Sequence, residues 1–108
     1  MTAEAEVFKA LGDETRLAIV RQLLEMESAP ISSLAQNLPI TRQGVRKHLE
    51  VLEQAGVIAL MPKGREVHAS LQQQPLQAAR LCLEQIERRW DERLAALKRF
   101  VELAEDED

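Results

Sequence analysis

From Pro75 onward the apolar residues Leu76, Ala79, Leu83, Ile86, Trp90, Leu94, Leu97, Val101 and Ala104 recur three or four positions apart. That spacing keeps one face of an α-helix apolar along its whole length. A helix over about 75–104 would extend on the order of 40 Å at the usual rise per residue, more than a domain this small covers with its own core. Something else must pack against the stripe, so the chain demands a partner surface before any activity is considered.

The 108 residues are read as a single domain, 1–108. Phe8, Trp90 and Phe100 are the only aromatic residues, which leaves the core to Leu, Ile, Val and Ala. No stretch approaches the roughly 20 apolar residues needed to span a bilayer, and the N-terminus lacks a basic-then-apolar signal. The expected location is therefore cytoplasmic, with no membrane partner. Cys82 is the only cysteine, which excludes an intrachain disulfide and a cysteine-rich zinc knuckle.

Ahead of the long helix the pattern divides into short elements. Val7, Ala10 and Leu11 form one face of a first helix that Gly12 is expected to end in a left-handed cap. Asp13 is placed to cap a second, in which Leu17, Val20 and Leu24 recur on one face with Ile19 and Leu23 alongside. Pro30 breaks the chain, and Ile31, Leu34, Ala35 and Leu38 make a two-turn stripe that Pro39 stops. Thr41 can cap a fourth helix whose inward positions are Val45, Leu49 and Leu52, and Gly56 ends it. The wing, about 58–71, reads as strands at roughly 58–62 and 66–71 around the turn Pro62-Lys63-Gly64-Arg65.

Charge identifies the working part of this arrangement. The formal net charge is −4, which looks wrong for a nucleic-acid binder until it is divided along the chain. Residues 1–28 hold three basic against six acidic side chains, and residues 66–108 hold six against ten. Residues 29–65 reverse the balance, with Arg42, Arg46, Lys47, Lys63 and Arg65 against Glu50 and Glu53. Geometry turns Arg42, Gln43, Arg46, Lys47 and Glu50 away from the inward stripe of the fourth helix.

Two helices joined by a tight turn, cations and an amide near the start of the second, then a hairpin with a basic tip, form a DNA-reading geometry. Arg and Lys donate to guanine O6 and N7, and Gln pairs with adenine. Arg42, Gln43 and Arg46 are the base-reading candidates, with Lys47 intermediate. Lys63 and Arg65 would reach phosphates or the neighbouring minor groove. Thr41 at the helix start and His48, as a hydrogen-bonding or phosphate-touching residue, complete the DNA-binding set.

The runs FKALGDETRLAIVRQLL at 8–24, LAQNLPITRQGVRKHLEVLEQAGVI at 34–58 and KGREVHASL at 63–71 resemble the ArsR family of winged-helix repressors. The most specific pieces are Ala-Leu-Gly-Asp-x-Thr-Arg at 10–16, and Val45-Arg46-Lys47-His48-Leu49 leading to Leu52 and Ala55-Gly56-Val57. The resemblance implies a mainly α, winged helix-turn-helix fold: four short helices, a β-hairpin wing and a long C-terminal dimerisation helix. It further implies a homodimer formed by the first and last helices, here Val7 and Leu11 with Leu83, Ile86, Trp90, Leu94, Leu97 and Val101. The fourth helix would then sit in the major groove of double-stranded DNA, an operator in the form of an imperfect palindrome, and repression would follow by promoter occlusion.

The chain departs from the family pattern twice. Where the metal-sensing branch has a Glu-Leu-Cys-x-Cys-Asp-Leu box, this chain has Ser32-Ser33-Leu34-Ala35-Gln36-Asn37-Leu38, without thiolates. Pro39 stands where a glycine commonly precedes the recognition helix. No metal, cofactor or small-molecule effector is expected.

Other readings of individual residues are weaker. His48 and His68 lie in different elements with no neighbouring ligand at metal spacing. Cys82 is either a redox bridge between subunits or an ordinary small apolar residue. Trp90 falls in register with the stripe and reads as a dimer-core anchor. Glu84, Glu87, Asp91 and Glu92 lie among Arg88, Arg89 and Arg93, as on a solvated, ion-pair-laced helix face. No phosphate loop or nucleophile elbow supports an enzyme. The alternative of another class is a dimeric protein-interaction module with weak or lost DNA binding.

Overall fold

The computed structural model describes residues 2–106. In chain order the elements are α1 (Ala3–Leu11), α2 (Glu14–Leu23), β1 (Ala29–Pro30), α3 (Ile31–Gln36), α4 (Arg42–Gln54), β2 (Ile58–Lys63), β3 (Glu66–Leu71) and α5 (Gln73–Asp106). The first four helices pack around Val7, Ile19, Leu23, Leu34, Val45, Leu49 and Leu52, with Val57, Ile58 and Ala69 joining from the sheet side. No polar or charged residue is buried among those described. The core is therefore held by non-directional apolar contact.

Polar caps set the helix starts. Thr2 Oγ1 accepts from the Ala5 N–H at 3.2 Å. Asp13 Oδ2 accepts from the N–H groups of Thr15 and Arg16, both at 3.0 Å, and Thr41 Oγ1 accepts from the Gly44 N–H at 3.0 Å. Each removes an N–H that the first turn would otherwise leave unpaired. Gly12 does close α1, but with φ −78° and ψ 17°. The left-handed cap expected there is not taken, because Asp13 opens α2 at once and leaves no reversal to make.

Gly56 takes that role at the end of α4, with φ +79°. Its N–H donates to Glu53 O at 2.9 Å and the Val57 N–H to Leu52 O at 3.0 Å, the paired bonds of a Schellman ending. The turn between α3 and α4 needs no such residue. Among the described residues only Gly56 and Gly64 have positive φ, so Pro39 is accommodated in an ordinary conformation where the family pattern has glycine.

The sheet has three strands in the order β1-β3-β2. The hairpin was legible; β1 was not. Ala29 lies opposite Ala69 and Pro30 opposite His68, antiparallel. Pro30 thus breaks helix propagation, as expected, and also belongs to an edge strand, the position in a sheet where proline is tolerated. Pro62 occupies the other edge strand. The strand β2 runs one residue past the expected end, so that Lys63 pairs with Glu66. Gly64, at φ +67°, and Arg65 form a two-residue loop of the kind with glycine first.

The helix α5 begins at Gln73, ahead of Pro75, and runs through Asp106. Proline is tolerated there because the N–H groups of a first turn have no helical acceptor. Glu105 and Asp106 are still helical; Glu107 and Asp108 lie outside the described residues. One other expectation changes. Leu24 was assigned to the inward stripe of α2, but the helix ends at Leu23 and Leu24 is 67% exposed.

Only the first turns of α5 touch this chain's own core. Ala79 is buried against it, and Leu76 packs partly upon it. Beyond them the helix leaves the domain, stretching the molecule to 75 × 26 × 25 Å. Leu83, Ile86, Trp90, Leu94, Leu97 and Val101 are between 47% and 61% exposed. Among the described residues no helix is long and apolar enough to cross a membrane.

Candidate nucleic-acid interface

The helix α4 is amphipathic for a simple reason: its inward residues Val45, Leu49 and Leu52 are spaced by four and three. All three are fully buried. The same rotation leaves Arg42, Gln43, Arg46 and Lys47 exposed on the opposite side. The cap at Thr41 fixes where this helix begins and therefore where Arg42 and Gln43 project. Its hydroxyl oxygen is already engaged by the Gly44 N–H.

The wing returns to the same side of the molecule. Arg42, Gln43 and Arg46 line one groove with Arg65, Glu66 and Val67 of the wing and Ile31 at the start of α3. Lys63 is exposed nearby in sequence at the end of β2. Among the described residues none of Arg42, Arg46, Lys47, Lys63 and Arg65 forms an ion pair. The groove can therefore offer its positive charge to an external polyanion without first breaking an internal bridge.

One acidic residue in the groove escaped the reading of the sequence. Glu66 Oε1 accepts from Ser32 Oγ at 3.5 Å, and its other oxygen is 3.7 Å from His68 Nε2. The first of these contacts ties the wing to α3, and the second lies within β3. The strand position of Glu66 was legible; Ser32 could be brought to it only by the packing of α3 against β3.

His48 differs from its neighbours in direction. Its side chain is 25% exposed, and the Nδ1 atom lies 3.3 Å from Arg16 Nη1 and 3.9 Å from Asp13 Oδ2. The ring thus faces the start of α2 rather than the groove, which corrects its placement in the DNA-binding set. At Asp13, the backbone N–H of Arg16 does most to hold the carboxyl below its ordinary value of 3.8. The positive charge of Arg16 assists, against a desolvation effect that raises it.

Val7 is corrected in the same way. It is 1% exposed inside this chain's own core, so it can support a dimer surface only from behind. Leu11 is half-buried. Trp90 lies beside Gln85, Ile86, Arg89 and Arg93 in a shallow groove along α5. Cys82 is a free thiol, half-buried where α5 leaves the core. Along α5 the ion pair formed among the described residues is Arg80 with Glu84 at 3.5 Å; the arginines expected to pair with acidic neighbours, Arg88, Arg89 and Arg93, are not in it.

A family model for a helix-turn-helix domain matches residues 11–60. The HTH-type transcriptional regulator Rv2034 of Mycobacterium tuberculosis is 31% identical over 100 residues, covering 93% of this chain and 90% of its own. A solved ArsR-like transcriptional regulator from Rhodococcus sp. RHA1 is 39% identical, with a TM-score of 0.75 over 91% of this chain and 92% of that one. The chain belongs to the ArsR family of helix-turn-helix transcriptional regulators.

ArsR-family proteins are regulators and not enzymes, and the helix-turn-helix is their DNA-binding element. The same fold occurs in the homodimeric winged helix-turn-helix domain of Mb0332 from Mycobacterium bovis, at 17% identity and a TM-score of 0.64 over 79% of each chain. In this ArsR-family chain α3 and α4 are the two helices of the motif, and β2 and β3 are the body of the wing.

Proposed function

We propose that this ArsR-family protein is a homodimeric, sequence-specific repressor that occludes a promoter. The helix α4 of each protomer enters the major groove, where Arg42, Gln43 and Arg46 read base edges. Lys47, Lys63 and Arg65 engage the sugar-phosphate backbone, with Arg65 able to follow it into the adjacent minor groove. The observation that carries this reading is the groove itself: cations from α4 and from the wing, far apart in sequence, line one exposed concavity and, among the described residues, form no ion pair.

The dimer is supported by the exposed stripe from Leu83 to Val101 on α5, which lies beyond the reach of this chain's own core. A second copy supplies an identical stripe, and a twofold pairing repeats every contact. It also matches the form of the DNA expected, an imperfect palindrome with half-sites one helical turn, about 34–36 Å, apart. Leu34 and Gln36 stand where the metal-sensing branch has its thiolates, so the chain is assigned to the branch without the cysteine metal box. It needs no cofactor and works in the cytoplasm.

The test is selection of genomic DNA fragments by the purified protein, followed by sequencing. A common inverted repeat with that spacing is expected. Recovery of fragments without any shared sequence would contradict specific recognition, and recovery of none would favour a dimeric protein-interaction module.

A further inference from the structure

The apolar core presents no direction of its own to α4. Val45, Leu49 and Leu52 can be buried over a small range of helix rotations, because apolar burial depends on area and not on angle. Directional contacts must select among them. Among the described residues, one side-chain hydrogen bond joins α4 to another helix, the one between Arg16 and His48.

Arg16 is itself held on two sides. Its Nε donates to Ala10 O at 2.6 Å, and Nη2 donates to Lys9 O at 3.5 Å. Its own backbone N–H donates to Asp13. The guanidinium therefore closes the end of α1 against the start of α2, and its remaining arm, Nη1, points at His48. Arginine has no acceptor, so His48 Nδ1 receives this bond and carries no proton while it does. The 3.9 Å approach of Asp13 to the same nitrogen is then a second neighbour and not an ion pair.

We propose that Arg16 and His48 form a positioning joint that sets the rotation of the recognition helix relative to α1 and α2. Neither residue touches DNA. Together they fix the direction in which Arg42, Gln43 and Arg46 leave the surface, and so act on sequence discrimination more than on general affinity. The joint also links α4 to α1, which lies against α5 and hence beside the surface assigned to the partner protomer.

The proposal rests on the DNA-binding reading above, and its test separates the two. The binding of wild type, His48→Leu, His48→Asn and Arg16→Lys is measured on one selected fragment and on random-sequence DNA at matched salt. Asn keeps an acceptor near the place of Nδ1, whereas Leu fills the space without one, and Lys keeps the charge of Arg16 without its fork. His48→Leu and Arg16→Lys should each lose about tenfold on the selected fragment while random DNA changes less than about twofold. His48→Asn should stay within about threefold of wild type on both.

Circular dichroism and thermal unfolding establish that each protein compared is folded at the binding temperature, and the Arg16→Lys chain serves if His48→Leu is not. Equal loss in His48→Asn and His48→Leu would overturn the joint, since ring volume and not the acceptor would then matter. So would unchanged binding of the selected fragment by His48→Leu or Arg16→Lys, or equal losses on both DNAs. Failure of the wild-type chain to bind any fragment would instead overturn the DNA-binding reading.

Discussion

Arg42 at the start of α4 and Arg65 at the turn of the wing line a single groove, together with Gln43 and Arg46 on the helix side. They come from separate elements with the whole of α4 and β2 between them in the chain. A duplex seated on α4 therefore meets the wing at the same time. The helix carries residues able to pair with base edges, and the wing tip carries charge on a narrow exposed loop.

This division predicts different consequences for similar charge removals. Arg46→Ala should cost about 1–3 kcal/mol on a selected operator fragment and much less on random DNA. Lys63→Ala should weaken both alike and reduce the salt dependence. Fluorescence-anisotropy titrations on the two DNAs would separate these outcomes, and equal behaviour of the two variants would contradict the assignment of roles.

The cap at Thr41 predicts a linked loss of stability and recognition. Thr41→Ala leaves the Gly44 N–H without its 3.0 Å acceptor and should destabilise the fold by about 1 kcal/mol. Thermal unfolding should fall by roughly 5 °C for a domain of this size. Thr41→Ser, which retains the oxygen, should restore most of both; a serine variant as unstable as the alanine one would show that the methyl contact matters instead.

Asp13 predicts a pH dependence with a definite sign. Its carboxyl is held below the ordinary 3.8 in the folded chain, so the charged form contributes stability above that value, and the contribution is lost as the pH falls through the lower, folded-state value. Asn caps helices comparably without titrating. The denaturation midpoint of the wild type should exceed that of Asp13→Asn at neutral pH, and the gap should narrow only below about pH 3.8. A gap that widened on acidification would contradict the account.

Trp90 is the only tryptophan and is 61% exposed in a single chain. If the stripe of α5 forms the dimer surface, tryptophan emission should be blue-shifted at high protein concentration and move to the red on dilution. Trp90→Ala should weaken the dimer by at least about 2 kcal/mol, as a central aromatic anchor does. Sedimentation of the variant as a stable dimer at low micromolar concentration would place the interface elsewhere.

The elements legible in the sequence were those whose burial is periodic. Val45, Leu49 and Leu52 announce α4, and the alternation around Gly64 announces the hairpin, because the chain's local geometry decides which side faces inward. The two-residue β1 has no periodicity to read and exists because β3 offers an edge to Ala29 and Pro30. His48 lies beside the buried stripe, one residue before Leu49, and its direction depends on Arg16, which only the tertiary fold brings near. Val7 was ambiguous for a related reason: a short apolar helix face can serve its own core or a partner, and here it serves the core. Cations on exposed turns of α4 needed no such information, since the inward stripe alone excluded them from the interior.

The central claim is that both protomers present their unpaired cations to one duplex, and the salt dependence of DNA binding tests it most directly. With about eight phosphate contacts across the dimer, log affinity against log salt concentration should fall with a slope of about −7. A slope near zero at salt concentrations where the protein remains folded and dimeric would contradict it.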